Sequence, residues 1–487
     1  MRRSLALFAV ALAALAAFIV ARGLAVGPPR DAAPLTPPPP LDSAALAGRL
    51  AASLRIRTVS FGAEVPTDPA PFLELHELLE ASFPATHATL RREVIAGASL
   101  LYHWPGSAPE LPPFLLMGHL DVVPVEPGTE DSWVHPPFAG VVDGAFIWGR
   151  GALDDKVSVV AALEAVEHLI GEGFQPKRGL YLAFGHDEEE GGEEGARAIV
   201  ELLATRNESL QFTLDEGSGI IGSGVIPGLQ RDIAVISTAE KGYLTLDLIA
   251  RAQGGHSSMP ASVTSIGRLA RAIRRLEAQP VPDVRDGPVG ALIDHVADHV
   301  TWPMRLILRN RWLFGPLIRA RLRSQPPTAA LLRTTTAPTI LRAGIKDNLL
   351  PSEARATVNF RVIHGNTVEG VVEHVRRAVA DPEVEIEVLE GREPTAPQGP
   401  DSEGFRLVSR VVRSVFPELA SVPGLTLGGT DSKHYASIAA SNLRFLPLRL
   451  TAEDIARIHG TNERIQIDLY RDTVGFFIEL VRGAASE

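Results

Sequence analysis

Three apolar segments of strand length are each followed at once by imidazole or carboxylate side chains. The segments and the polar residues after them are 114–117 with His119 and Asp121, 181–184 with 186–190, and 212–214 with 215–216. The carboxyl ends of parallel strands meet at one edge of an open α/β sheet, and such folds place their active sites there. We therefore expect these polar side chains to lie close together.

A further acidic pair, Asp154 and Asp155, precedes a helical pattern of apolar residues at 159–170. Each feature alone has a structural explanation, because Asp155 can cap a helix, the stretch 187–190 can be a solvated loop and Asp215 can open a turn. Together they supply imidazole and several carboxylates without any cysteine. Ligands of this kind suit zinc, manganese or cobalt, so the combination predicts a metal site.

The motifs that carry these residues resemble those of a known family. They occur in the family's order and are His119 to Pro124, Trp133 with Pro137 and Phe138, Gly149 to Lys156, Gly185 to Glu189, and His459 with Gly460. This pattern is similar to that of the co-catalytic di-zinc M20 metallopeptidases, which include aminoacylases, carboxypeptidases and succinyl-diaminopimelate desuccinylase. Within the family, the likeness is greatest to the carboxypeptidase S and N-acyl-amino-acid amidohydrolase branch.

The resemblance implies a pair of zinc ions held by five side chains. One zinc would be bound by His119 and Asp215, the other by Glu189 and His459, and Asp154 would bridge the two. Each ion then has three protein ligands and an open position, as catalytic zinc requires. Co²⁺ or Mn²⁺ would suit the same ligands.

The resemblance also gives roles to two carboxylates beside the metals. Asp121 resembles the carboxylate that fixes the tautomer of the ligating His119. Glu188 resembles the general base, which takes a proton from a metal-bridged water and returns it to the leaving nitrogen. The residues alone leave Glu188, Glu189 and Glu190 open for this role, and the family motif selects among them.

Substrate contacts are expected on an inserted lid domain and on one catalytic loop. His256 in the stretch 254–258 can be a turn histidine, but the resemblance places it near the partner subunit's substrate in a homodimer, where it stabilises an oxyanion. Asn348 and Arg361 lie in similar lid motifs and are predicted substrate contacts. Lys433 lies in a loop that resembles the family's substrate-carboxylate loop, where many members have arginine, which forms a bidentate pair that lysine cannot.

These assignments imply a metal-dependent hydrolase that cleaves the amide bond of N-acyl amino acids or releases the C-terminal residue of peptides. Two alternatives remain open. A membrane-tethered esterase-like hydrolase would differ only in its leaving group, and a catalytically decayed binding protein would keep the fold without turnover. A comparison of amide with ester substrates separates the first alternative from the main interpretation.

The elements that must position these residues alternate between apolar runs of strand length and helical patterns, which predicts an α/β fold. We expect a catalytic domain with a mostly parallel sheet and helices on both faces, formed by residues 41–240 and 393–487. The resemblance implies an α+β lid or dimerisation domain at 241–392, inserted between these parts.

The segment 284–330 within the predicted lid is unusual in composition, because its stretch 302–323 mixes apolar bulk with six arginines. This mixture suits short helices that lie on a membrane face or line an acyl-chain pocket. A lid element buried against its own domain is the alternative.

The N-terminus predicts a membrane segment. The uncharged apolar run 4–21 follows Arg2 and Arg3 and, at about 1.5 Å per residue, is just long enough to cross a bilayer. We expect residues 1–22 to form a retained anchor, or a signal segment cleaved before secretion, with the catalytic body on the non-cytoplasmic side. Repeated prolines in 23–40 predict an extended linker.

The overall composition excludes several classes of protein. The chain of 487 residues carries 47 Lys and Arg against 58 Asp and Glu, a net charge of −11. No basic cluster is dense enough to follow a phosphate backbone, so nucleic acid is not an expected partner. The absence of cysteine excludes disulfides, thiolate nucleophiles and Cys-bound zinc or iron–sulfur clusters.

Overall fold

The computed structural model describes residues 2–25, 39–62, 65–284 and 287–486. Most of the linker predicted for residues 23–40, and residues 285–286 of the segment 284–330, lie outside the described residues.

The described residues form fifteen α-helices and eighteen strands. The helices are α1 (Arg2–Leu24), α2 (Ser43–Leu54), α3 (Ala70–Ser82), α4 (Pro84–Thr89), α5 (Lys156–Gly171), α6 (Ala196–Thr205), α7 (Ser265–Ala278), α8 (Pro288–Val296), α9 (Trp302–Arg309), α10 (Arg311–Arg323), α11 (Pro326–Ala330), α12 (Val368–Val379), α13 (Glu403–Val415), α14 (Ala452–Arg457) and α15 (Ile467–Ser486). The strands are β1 (Arg91–Ile95), β2 (Ser99–Trp104), β3 (Phe114–His119), β4 (Val141–Asp143), β5 (Phe146–Trp148), β6 (Leu180–Gly185), β7 (Thr213–Asp215), β8 (Ile220–Ile221), β9 (Ile233–Glu240), β10 (Gly242–Arg251), β11 (Gly255–His256), β12 (Thr335–Ala343), β13 (Leu349–Leu350), β14 (Glu353–Val362), β15 (Val384–Arg392), β16 (Ala420–Thr426), β17 (Asn442–Arg444) and β18 (Arg464–Gln466).

The largest sheet has the strand order β1-β2-β6-β3-β7-β17-β9-β16, with β8 paired to β9. The central strands β6, β3, β7 and β17 are parallel, as the sequence predicts. Antiparallel pairings at β1–β2, β2–β6 and β17–β9 make the sheet as a whole mixed rather than mostly parallel. The carboxyl ends of β3, β6 and β7 lie at one edge, so the three predicted polar clusters are brought together.

Alternate side chains of the central strands pack into two separate cores. Leu116 and Leu182 belong to a core shared with α2, α5, α13 and α15. Their neighbours Leu115 and Tyr181 belong to a second core, which includes residues of α6. Because successive side chains of a strand point to opposite faces, helices cover both faces of the sheet, as predicted.

The lid is an antiparallel sheet of order β12-β14-β10-β15 with α7 and α12 packed on it. Strand β14 alternates buried and half-buried residues over its whole length, the pattern of a strand with one face in a core. The buried side chains Leu244, Phe360 and Val375 join strands β10 and β14 to α12 in one core. This confirms the predicted α+β lid.

Helices α8 and α9, which follow α7 in the chain, pack on the edge strand of the large sheet. Val296 of α8 and Met304 and Leu308 of α9 share a core with Val422 of the edge strand β16. Here the structure differs from the predicted boundaries, which placed the whole of 241–392 in the lid. The apolar pattern predicts helices, but it does not identify the surface on which they pack.

Helix α1 has the length and composition of a membrane-spanning segment. Its stretch Arg3–Leu24 has 22 residues with a mean hydropathy of 2.6, and it is the one such helix in the described part of the chain. Apolar side chains such as Leu7 and Phe8 are exposed instead of packed in a core. An anchor and a signal segment both fit this composition.

Candidate metal centre and active site

The carboxylate of Asp154 lies between two histidines that come from distant parts of the chain. Its Oδ1 is 3.0 Å from His119 Nε2 at the end of β3. Its Oδ2 is 3.0 Å from His459 Nε2, which is also 3.3 Å from Glu189 Oε2. Each oxygen of Asp154 therefore faces a different histidine, which is the arrangement expected of a carboxylate that bridges two metal ions.

Two groups of metal-binding side chains share Asp154. His119, Asp154 and Glu216 form one group, and Asp154, Glu189 and His459 form the other. Within each group the ligand atoms all lie within 4.8 Å of one another. Four of the five side chains implied by the sequence resemblance are thus brought together.

The fifth predicted ligand, Asp215, is in neither group, and Glu216 stands in its place. Asp215 Oδ2 accepts a hydrogen bond of 2.8 Å from the backbone N–H of Ser432, and Oδ1 accepts one of 3.0 Å from the N–H of Glu216. Adjacent side chains at the end of a strand point in different directions. The sequence contains both carboxylates, but its pattern does not show which one faces the site.

Asp121 connects the first histidine to the turn that carries the acidic residues. Its Oδ1 lies 3.2 Å from His119 Nδ1 and accepts the backbone N–H of Glu188 at 3.2 Å. Its Oδ2 accepts the N–H of Glu189 at 3.1 Å and the hydroxyl of Ser60 at 2.8 Å. Asp121 is fully buried, so it orients the imidazole and holds the 188–190 turn against β3.

The segment that carries His459 is held beside Asp154 by a small three-stranded sheet. Strand β18 pairs with β5, which pairs with β4, and the N–H of Gly149 donates to the carbonyl of Glu463 at 3.0 Å. His459 itself has φ of 60°, in the left-handed region that few non-glycine residues adopt. Residues 459–463 and 149–155 thus form one unit although some 300 residues separate them.

Glu463 joins these two segments through hydrogen bonds. It is not among the residues that the sequence motifs predict for the site. Its Oε1 accepts backbone N–H groups of Gly151, Leu153 and Asp154 at 2.8 to 3.2 Å. Its Oε2 accepts a 2.7 Å bond from Arg150, whose other terminal nitrogen donates to the carbonyls of residues 459 and 460. The sequence feature that points to Glu463 is its position four residues after His459.

The electrostatics of the cluster favour a bound cation. Burial raises the pKa of Glu189 and of Glu216, and the charge of Asp154 raises both further. Hydrogen bonds to Asp154 and Glu189 raise the pKa of His459 to about 10. Glu189 Oε1 is buried and has no hydrogen-bond partner among the described residues. A divalent cation would supply the positive charge and the missing contact, so the residues present fit a metal.

Glu188, the predicted general base, is adjacent to Glu189 on the turn held by Asp121. Burial raises the pKa of the Glu188 carboxyl well above its usual range, with Asp431 and Glu189 adding to the shift and Lys433 opposing it. Lys433 thus lies within electrostatic reach of the predicted base. A carboxyl in this environment can both accept and hold a proton.

Asp431 is another buried carboxylate in this region. Both of its oxygens are buried without a hydrogen-bond partner among the described residues, and burial raises its pKa well above the usual range. A Cβ atom at Gly185 or Gly192 would overlap with its carboxylate. The absence of a side chain at Gly185 and at Gly192 therefore leaves the space that Asp431 occupies.

Two lid arginines meet the catalytic loop 428–435. A Cβ built on Gly429 would lie 3.2 Å from Arg392 Nη2 and 3.8 Å from Arg361 Nη1. The Arg361 guanidinium also lies 4.9 Å from the ring centroid of Tyr243. Neither arginine forms an ion pair with a carboxylate in the ranges that the structure describes. Arg361 was predicted as a substrate contact, whereas Arg392, the last residue of β15, was not.

His256 and Asn348 lie together on the lid. The two-residue strands β11 and β13 pair with His256 opposite Leu349, and the N–H of Ser257 donates to the carbonyl of Asn348 at 3.1 Å. Both side chains are exposed. No hydrogen bond or ion pair within the described residues joins either of them to the two metal-binding groups.

Comparison with known proteins places this site in a family. The model for peptidase family M20/M25/M40 matches residues 115–483. The chain is 41% identical over 441 residues to "Probable carboxypeptidase S-like 2" of Dictyostelium discoideum, with 90% of this chain and 84% of the relative covered. It is 42% identical over 441 residues to the Mus musculus "N-fatty-acyl-amino acid synthase/hydrolase PM20D1", with 89% and 87% covered.

The fold is shared with a solved structure. The M20 family metallo-carboxypeptidase Sso-CP2 from Sulfolobus solfataricus aligns with a TM-score of 0.66 at 18% identity, over 91% of this chain and 99% of that chain. The sequence matches cover most of the chain and include both metal-binding groups. The chain therefore belongs to peptidase family M20/M25/M40 and is a metallopeptidase or amidohydrolase of that family.

Proposed function

We propose that this enzyme hydrolyses the amide bond of N-acyl amino acids, or releases the C-terminal residue of peptides, at a centre of two zinc ions. The observation that carries the proposal is the position of Asp154, whose two oxygens face histidines of two different groups. The names of the relatives, carboxypeptidase S-like and N-fatty-acyl-amino acid synthase/hydrolase, describe the same two classes of substrate.

The two groups would hold one zinc each. His119 and Glu216 would bind the first, Glu189 and His459 the second, and Asp154 both. Three protein ligands per ion leave an open position, which distinguishes catalytic from structural zinc, and the three carboxylates offset three of the four positive charges. When bound, the metal pair would polarise the amide carbonyl and make a water molecule more acidic. Co²⁺ or Mn²⁺ suits the same ligands.

Glu188 carries the proton in this mechanism. Its carboxylate takes a proton from the attacking water as the water oxygen adds to the carbonyl carbon, and it gives the proton to the nitrogen as the C–N bond breaks. The products are a carboxylic acid and an amine, and no other reactant is consumed. Asp121 positions this base through the backbone of the 188–190 turn while it orients His119.

Both proposed substrate classes carry a free carboxylate, and the cations at loop 428–435 provide a place for it. The guanidinium groups of Arg361 and Arg392 lie beside Gly429, and Lys433, on the same loop, is within electrostatic reach of Glu188. An arginine can bind a carboxylate with two parallel hydrogen bonds. We assign the substrate carboxylate to these three cations, with the acyl group or peptide on the other side of the metal centre.

A homodimer would complete the site. Strand β12 is an edge of the lid sheet and pairs within the described residues only with β14. Leu341 on this strand is 66% exposed, and Ile345 just beyond it is 91% exposed. An unpaired apolar edge is a natural surface for a second copy of the chain. His256 and Asn348 would then reach the partner's site, where His256 stabilises the oxyanion.

The proposed location follows from α1. The helix would anchor the enzyme in a membrane with Arg2 and Arg3 on the cytoplasmic side and the catalytic body on the opposite side. Cleavage after the helix would instead give a secreted enzyme. N-terminal sequencing of the protein isolated from membrane and medium distinguishes the two forms.

Matched substrates test the proposed activity. The purified full chain is assayed on long-chain N-acyl amino acids, on dipeptides and on the corresponding esters, before and after chelation and re-addition of zinc. We expect amide hydrolysis that is lost on chelation and restored by zinc. Turnover of esters alone would favour the esterase-like alternative. A metal-loaded chain that turns over none of these substrates would favour the binding-protein alternative.

A further inference from the structure

Helices α9 and α10 form a platform, residues 302–323, that is fixed to the catalytic domain by one side. Met304 and Leu308 pack into the core beneath strand β16. The N–H of Thr301, just before α9, donates to the carbonyl of Gly228 at 2.7 Å. The platform therefore keeps a defined position on the body of the enzyme.

The carboxyl-terminal end of α1 is seated on this platform. Asn310 Nδ2 donates to the carbonyl of Ile19 at 3.0 Å, and the rings of Phe18 and Trp312 lie 6.5 Å apart. A Cβ on Gly23 would lie only 3.0 Å from Leu306, so the two helices approach closely at this glycine. If α1 crosses a membrane, the platform lies where the helix leaves it.

The surface of the platform around this contact is apolar and exposed. Trp302 is 47% exposed, Trp312 53%, Leu313 42% and Leu317 59%. Trp312 adjoins Phe18, an exposed apolar side chain of α1. Tryptophan is enriched where membranes meet water, because its ring is apolar and its N–H remains hydrated.

The charges of the platform complement a phospholipid surface. Arg309, Arg311 and Arg323 are paired with Asp298, Asp294 and Asp283. Arg319 and Arg321 have no acidic partner within the described residues. Arginine side chains beside an apolar surface can extend their charged ends to lipid phosphates.

We propose that the α9–α10 platform lies in the headgroup layer of the membrane that α1 enters, on the side of the catalytic body. Its exposed tryptophans and leucines contact the lipids, and Arg319 and Arg321 bind phosphates. The proposal rests on the membrane location proposed for α1, and it adds a second contact that holds the enzyme in one orientation. It does not depend on the identity of the amide substrate.

The tryptophans of the chain permit a direct test. Of its five tryptophans, Trp104, Trp133 and Trp148 are at most 8% exposed, whereas the two platform tryptophans are exposed. The full chain is reconstituted in vesicles of phosphatidylcholine and phosphatidylglycerol, with or without bromine on the acyl chains near the headgroups. Bromine quenches tryptophan only on contact. We expect partial quenching, because only the two platform tryptophans are exposed, and none in the variant with W302F and W312F.

Control variants test the tryptophan contacts, the arginine contacts and the α1 anchor separately. The substitution W133F, at a buried tryptophan, should leave the quenching in place. Phosphatidylglycerol, whose net charge is negative, should increase the quenching over phosphatidylcholine alone, and Arg319→Gln with Arg321→Gln should remove this increase. A chain that floats with the vesicles but shows no bromine quenching keeps the α1 anchor and overturns the platform. A chain that does not float overturns both, while amide hydrolysis is measured separately on N-acyl amino acids and dipeptides.

Discussion

At the residue scale, the role proposed for Glu188 is separable from that of the proposed metal ligands, although Glu188 is adjacent to one of them. Glu188→Gln keeps the shape of the side chain but removes the proton acceptor, so kcat should fall by about 10² to 10⁴ with metal content unchanged. His459→Ala, which removes an inner ligand, should lose metal. Elemental analysis and steady-state kinetics on the same samples check both. Full activity of metal-loaded Glu188→Gln would contradict the assigned base.

The neighbouring carboxylates Asp215 and Glu216 provide a matched pair for the ligand assignment. Glu216→Gln should lower bound metal, because Glu216 lies in the group with His119 and Asp154. Asp215→Asn should keep the metal but lower the Tm, since a buried acceptor of backbone N–H groups is weakened, at a cost of about 1–3 kcal/mol. Metal titration and thermal unfolding measure the two effects. The reverse pattern would restore Asp215 as the ligand.

The sequence predicts the residue types of the site better than their individual roles. Strand ends followed by His119, Glu189 and Glu216 are visible in the pattern, and the structure brings them together. The choice between Asp215 and Glu216 depends on the backbone direction at the end of β7, which no spacing shows. The cis peptide bond between Asp154 and Asp155 is also absent from the pattern, because non-proline residues adopt it rarely.

At the element scale, the buried pair of Arg150 and Glu463 joins the loop before α5 to the loop before β18. Glu463→Gln should leave Arg150 without its charged partner and weaken three backbone contacts that place Asp154. We expect metal affinity to fall by about 10- to 100-fold, the usual effect of losing a group that orients a ligand. The affinity is measured by competition with a chelator.

A nearby control separates positioning from general charge effects. Glu453→Gln removes a carboxylate whose side chain is 82% exposed and which pairs only with Arg457 among the described residues. This variant should keep wild-type metal affinity, since an exposed ion pair contributes at most about 1 kcal/mol. The metal affinity of Glu463→Asp should lie between that of wild type and that of Glu463→Gln. Equal affinities for Glu463→Gln and wild type would exclude the positioning role.

Among the elements, those with local signals were predictable and those defined by distant partners were not. The apolar runs of β3, β6 and β7 were predictable because strand length and periodicity are local signals, and the inserted lid followed from the resemblance to the family. The association of α8 and α9 with β16, and the sheet that joins β18 to β5, depend on contacts far apart in the chain. The residue patterns of these helices and strands would allow them to pack against several different surfaces.

At the scale of the whole molecule, the proposed active site uses both domains. The metal-binding groups lie on the catalytic domain, and the lid residues Arg361 and Arg392 approach loop 428–435 of that domain beside Gly429. His256 and Asn348 lie on the same lid but make no hydrogen bond or ion pair to those groups in the described part of the chain. A lid that contributes one set of residues to its own subunit and another to the partner would account for both facts.

This arrangement predicts that two inactive variants restore each other. His256→Ala should lower the rate by about 10² to 10³ with metals retained, as expected for the loss of an oxyanion donor. In a heterodimer of His256→Ala with Glu188→Gln, one of the two sites combines an intact base with an intact partner histidine. Mixing the variants should therefore recover activity, whereas each variant mixed with itself should not. Differently tagged chains report subunit exchange, and exchanged heterodimers without recovered activity would show that His256 does not act across the dimer.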